Sequence, residues 1–364
     1  YPSSQLFSGQ AGPTTEAIAG AATRNRERLR RVTERWVDAF PSSADAREAF
    51  AKALEGLGEL ALSRDERHSA LAQLGHARRL ATHEDQRLRL AEADIRLLLK
   101  TESFARAAQL ADSVLANAPD TITDVPTLSG LAALAALRGD AARAAALLRR
   151  TAPRYSFTTP RGNEWTIYRP VAEPALTYLA YASVGAPADT LRALERATRT
   201  ALEQFASGER REELALATLL RPSMLAFPIT GATWIHQQDS QPTPLFTLQR
   251  MLLAGDTVAL RRQLDEYVTE RAALRPGDVS IDHIYQEAEL RLAIGDTIEA
   301  ARLLDRSLSG LPTLGFDLVH HVAEPAALVR AMALRAVLAS RAGEQRIADR
   351  WGAAVAALRA PAIH

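Results

Sequence analysis

One short phrase is written twice in this chain, and it constrains the fold more than any other feature. Leu252-Leu253-Ala254-Gly255-Asp256-Thr257 returns as Leu292-Ala293-Ile294-Gly295-Asp296-Thr297. Looser copies stand at Leu137-Arg138-Gly139-Asp140, Ser183-Val184-Gly185-Ala186 and Arg341-Ala342-Gly343-Glu344. Glycine can take the left-handed conformation that closes one helix, and the Asp that follows can accept from the free N–H groups opening the next. After each joint the apolar register is kept: Leu260, Leu264 and Val268 follow Asp256, Ala300, Leu303, Leu304 and Leu308 follow Asp296, and Ala144, Leu147 and Leu148 follow Asp140. Helix pairs of this kind bury one stripe internally and another against a neighbour, the signature of a solenoid.

Composition agrees with helices. Hydrophobic residues reach 47% but aromatics only 5%, so Leu and Ala carry the burial, where sheets would use more aromatic and β-branched residues. From Thr14 onward apolar residues fall at spacings of three and four. Leu29, Val32, Trp36, Val37 and Phe40 mark one face of the first helix, and Arg24, Arg26, Arg28, Arg30 and Arg31 read as its solvated side. Pro41-Ser42-Ser43 ends it, and helices are predicted near 44–62, 64–81, 84–101 and 103–117.

Here the resemblance to tetratricopeptide repeats becomes specific. Ala91 to Pro119 looks like one unit, with Phe104-Ala105-Arg106-Ala107-Ala108 opening its second helix and Pro119 closing it. Ile284–Leu308 and Leu328–Leu358 are similar, the latter with Trp351 in its closing helix. The joints are spaced more widely than the family's roughly 34 residues, and its aromatic signature positions are mostly Leu or Ala, so a generic α-solenoid fits the same pattern. The last units also resemble repeat regions of bacterial signalling proteins. The resemblance implies an all-α, right-handed α-solenoid of antiparallel helix hairpins. It divides into an extended tail over 1–13, N-terminal hairpins over 14–90, and tetratricopeptide-like repeats over 91–359 with non-helical insertions near 153–170 and 228–244.

Those insertions hold the candidate partner-binding residues. The first places a Pro-Arg-Gly-Asn turn between β-prone residues and carries Phe157, Arg161, Trp165, Tyr168 and Arg169; the second carries Trp234 and His236. Either these aromatics pin the loops onto the helices, or they form contact surfaces, since Trp, Tyr and Arg anchor interfaces.

The search for chemistry yields little. Neither Lys52 nor Lys100 follows a Gly, which rules out a phosphate loop. Gly56-Leu57-Gly58-Glu59-Leu60-Ala61 fits a dinucleotide pattern formally but lies in a helical run with no strand before it. His320-His321-x-x-Glu324 and His283-x-x-x-Glu287 each offer two metal ligands without a third, and polar helix ends explain them as well. The neighbouring carboxylates Glu212-Glu213 and Asp265-Glu266 diverge on a helix. With 44 basic and 43 acidic residues, a nucleic-acid surface is disfavoured. There is no Cys for a disulfide or thiolate, and the longest uncharged runs, Pro174–Ala188 and Pro222–Gln238, are too short or broken to span a bilayer.

The expected function is therefore a non-catalytic scaffold for a protein or peptide partner, without cofactor or metal, suited to an extrinsic subunit of a larger assembly, including a membrane complex. The alternative is a ligand- or peptide-sensing repeat module of a longer bacterial kinase or regulator. The polar start at Tyr1-Pro2-Ser3-Ser4-Gln5 is compatible with a removed leader, favouring an exported protein, or with a longer polypeptide.

Overall fold

A computed structural model of the chain describes residues 15–63, 66–81, 84–152, 155–158, 164–167, 169–205, 244–271, 279–311, 318–319 and 321–359. Within them lie fifteen helices and one two-stranded hairpin. The helices are α1 (Thr15–Ala39), α2 (Ala44–Ser63), α3 (Arg67–Leu80), α4 (Glu84–Lys100), α5 (Phe104–Asn117), α6 (Val125–Arg138), α7 (Ala141–Thr151), α8 (Arg169–Val184) and α9 (Ala188–Phe205). After them come α10 (Pro244–Leu253), α11 (Thr257–Arg271), α12 (Ile281–Ala293), α13 (Thr297–Ser309), α14 (Ala323–Ala342) and α15 (Gln345–Arg359). Strands β1 (Tyr155–Thr158) and β2 (Glu164–Ile167) sit between α7 and α8. Among the described residues the fold is all-α apart from this hairpin.

The five joints have one geometry. Gly139, Gly185, Gly255, Gly295 and Gly343 are the described glycines with positive φ, between 75° and 81°. At Gly255 its own N–H donates to Leu252 O and the Asp256 N–H to Met251 O, and the other four joints repeat that pair of bonds. Asp140, Asp256 and Asp296 then each accept from a backbone N–H in the first turn of the next helix. A sixth joint lacks glycine: Glu102, at φ 56°, donates to Leu99 O while Ser103 donates to Leu98 O.

Two compact units divide within α4, at Leu97–Leu98. In the first, α1 packs on α2 and α2 on α3. Gly58 lies within α2, and a Cβ there would stand 2.5 Å from Leu74 Cγ, so this glycine serves close helix packing in a segment without the strand a dinucleotide loop needs. The α1 face differs from expectation. Leu29, Val32, Trp36 and Phe40 are exposed by 52%, 57%, 42% and 59%, while Thr33 is buried and Arg26 donates to Gly56 O at 2.6 Å. The side turned to α2 is thus the neighbouring, more polar one, and the expected apolar face has no described partner covering it.

In the second unit, hairpins α6–α7, α8–α9, α10–α11, α12–α13 and α14–α15 form around the five glycine joints. Successive hairpins touch, with α12 against α10 and α14 against α12 and α13. In addition α14 packs on α6 and α8, and α15 on α5 and α6, so the last hairpin also reaches helices far from it in sequence. At the centre of these contacts α6 is fully buried from Leu131 to Leu137, as a helix apolar on every side must be.

Arginine and aspartate tie this packing. Arg138 forks onto Asp112 at 2.7 and 3.0 Å, and Arg335 onto Asp305 at 2.6 and 2.9 Å, each joining a helix to the helix before it. Arg291 meets Asp265 more loosely, Nη1 to Oδ1 at 3.7 Å. Asp112, Asp265 and Asp305 stand at one separation from the left-handed residues Glu102, Gly255 and Gly295, whereas the joints at Gly139, Gly185 and Gly343 have Arg149, Glu195 and Ala353 there. At the closing contact, Arg138, last in α6, donates to the carbonyls of Ala357 and Leu358 near the end of α15. Arg359, last in α15, lies against Gly139 at the end of α6. Both cations thereby face the negative ends of the opposite helices.

Candidate binding cleft

A cluster of charged side chains lies where α11, α12 and α13 meet. Leu260 and Leu264 of α11 pack with Leu290 of α12 and with Leu245 and Leu248 of α10, which fixes the two hairpins against each other. Helices α11, α12 and α13 line a cleft of about 280 Å³ with Asp265, Glu287, Arg291, Glu299, Arg302, Leu303 and Arg306.

Its base is built around Arg291, only 3% exposed. Its guanidinium reaches Glu287 at 3.2 Å, Asp296 at 2.9 Å and Asp265 at 3.7 Å, and also donates to Leu264 O at 3.3 Å. Glu287 is fully buried, and a charged carboxylate there requires such a partner. The rim is different. Arg302 pairs with Glu299 one turn away, and both Arg302 and Arg306 are exposed. Among the described residues the Arg306 side chain makes no hydrogen bond or ion pair. The cleft thus presents a saturated floor beneath a rim with guanidinium donors to spare, suited to accepting a carboxylate.

Other candidate residues fall elsewhere. β1 and β2 pair antiparallel with Phe157 opposite Trp165 and Tyr155 opposite Ile167, so the expected hairpin brings those two aromatic positions into one cross-strand pair. Arg169 opens α8, exposed, with its Nε 2.7 Å from Glu173. Arg161, Tyr168, Trp234 and His236 lie outside the described residues.

The histidine motifs have structural partners here. His321 Nδ1 accepts from the Ala323 N–H at 3.3 Å, capping the start of α14. Burial holds its pKa below the usual value, against a weaker opposing pull from Asp282. Glu287, the other half of the His283 motif, is engaged by Arg291. No group of three or more potential ligands for a metal occurs among the described residues. Asp265 and Glu266 do diverge, Asp265 towards Arg291 and Glu266 towards Arg262 and Gln263.

The cleft residues carry no local motif. What could have found them is a spacing shared by three of the joints: an Asp at one separation after Glu102, Gly255 and Gly295, with an Arg in the next helix. The chain matches no protein-family model and no curated protein.

Proposed function

We propose that this chain is a non-catalytic scaffold, a tetratricopeptide-like right-handed solenoid over α10–α15, that holds a peptide segment of a partner protein in the cleft among α11, α12 and α13. The observation carrying this reading is the division of the cleft into a floor of satisfied charges and a rim with unsatisfied arginine donors. Its volume of about 280 Å³ suits one or two side chains of a peptide and falls just under the usual range for small-molecule sites, roughly 300–1,000 Å³. Mixed charge on the walls favours a segment bearing an acidic residue for Arg306 and a basic one for Asp265 or Glu299, over a polymer of uniform charge.

Panning the full chain against a random peptide library tests this. Selected peptides are expected to carry both signs of charge, and the double variant Arg302→Glu/Arg306→Glu is expected to weaken their binding about tenfold at low salt, by removing rim attraction and adding repulsion. Arg346→Glu, at an exposed position of α15, serves as the control and should leave binding unchanged. Equal binding by the double variant and the original chain would exclude the cleft as the site.

A further inference from the structure

The apolar face of α1 carries an inference independent of the cleft. Leu29, Val32 and Trp36 fall in one row of α1, Phe40 continues it just past the helix end with its N–H donating to Trp36 O, and all four are exposed. Soluble surfaces seldom leave a contiguous row of large apolar side chains in water without an occupant. The next row around the helix is Arg24, Arg28, Arg31 and Arg35. All four are exposed, and none forms an ion pair among the described residues; Arg31 donates only to the Glu27 carbonyl. The acidic side chains Glu27, Glu34 and Asp38 lie one row further, away from the apolar stripe, and Arg30 engages Glu27 and Glu34 at 3.2 and 2.9 Å. The remaining side turns to α2 through Arg26.

We propose that this face of α1 docks on an anionic lipid surface. The apolar row enters the headgroup region with Trp36 and Phe40 at one end, and the arginine row meets lipid phosphates and carboxylates beside it. Charge complementarity selects the occupant: an antiparallel second copy would set two arginine rows side by side, whereas an anionic membrane satisfies every member of the row. The helix would lie on the membrane, since no described helix is long and apolar enough to cross one.

The test is co-sedimentation of the full chain with phosphatidylcholine vesicles, with and without phosphatidylserine. Binding is expected with phosphatidylserine only, falling about fivefold for each of Arg28→Gln, Arg31→Gln and Arg35→Gln at low salt, and lost in Trp36→Glu. Because Trp36 is exposed, that variant should keep its helical circular dichroism; if it unfolds, Phe40→Ser provides the same test. No binding to anionic vesicles, or undiminished binding by the stripe variants, overturns the proposal. So does a Trp36-dependent dimer, or a Trp36-dependent complex with an acidic protein, when vesicle binding is absent.

Discussion

Arg291→Ala should lower the stability of the full chain by about 3 kcal/mol, read as an earlier urea midpoint with little change in slope. The size follows from burial: the substitution takes the guanidinium away from Glu287, which has no exposed surface, and from Asp296, which is itself largely shielded. A surface pair would be worth no more than about 1 kcal/mol. Exchanging the charges for apolar volume should recover much of the loss, so Arg291→Met combined with Glu287→Leu is expected to be more stable than Arg291→Ala alone. A loss below about 1 kcal/mol for the single variant would mean that the floor of the cleft is not held as described.

Gly139→Val is expected to cost about 3 kcal/mol, against about 2 kcal/mol for Gly255→Val. Both glycines have positive φ, where a β-branched side chain is strained. They differ in what surrounds them. A Cβ on Gly255 meets nothing within 4 Å, whereas one on Gly139 would fall 1.9 Å from Arg359 Nη1. Arg359 has poor alternatives, for burial and then the nearby Arg330 and Arg138 guanidiniums already push its pKa down to about 10. The difference between the two variants therefore measures the closing contact between α6 and α15. Equal losses by thermal or urea unfolding would deny that contact any energetic role.

The joints were legible because glycine in the left-handed region and an Asp cap are local requirements, set by a few adjacent residues. Each of the five expected glycines has positive φ. Glu102 adopts the same conformation without that signal, and only its bonds to the preceding helix reveal it. Which hairpin touches which was harder to read. Leu131-Ala132-Ala133-Leu134-Ala135-Ala136-Leu137 is apolar on every side, a hint that α6 needs more neighbours than a linear array supplies, but nothing local names α14 and α15 as those neighbours. The first helix shows the opposite failure. Periodicity grouped Leu29, Val32, Trp36 and Phe40, which are exposed, with Val37, which is half-buried, and could not tell a core-facing row from a docking row, since both look alike in sequence. The cleft was hidden because its members come from three helices and each alone reads as an ordinary solvated charge.

Amide hydrogen exchange on the full chain, with and without a peptide selected by panning, tests the scaffold reading most directly. Slowed exchange should appear in α11, α12 and α13 around Asp265, Arg291 and Arg302, and should vanish with Arg302→Glu/Arg306→Glu. Protection confined to other helices, with these three unchanged, would contradict it.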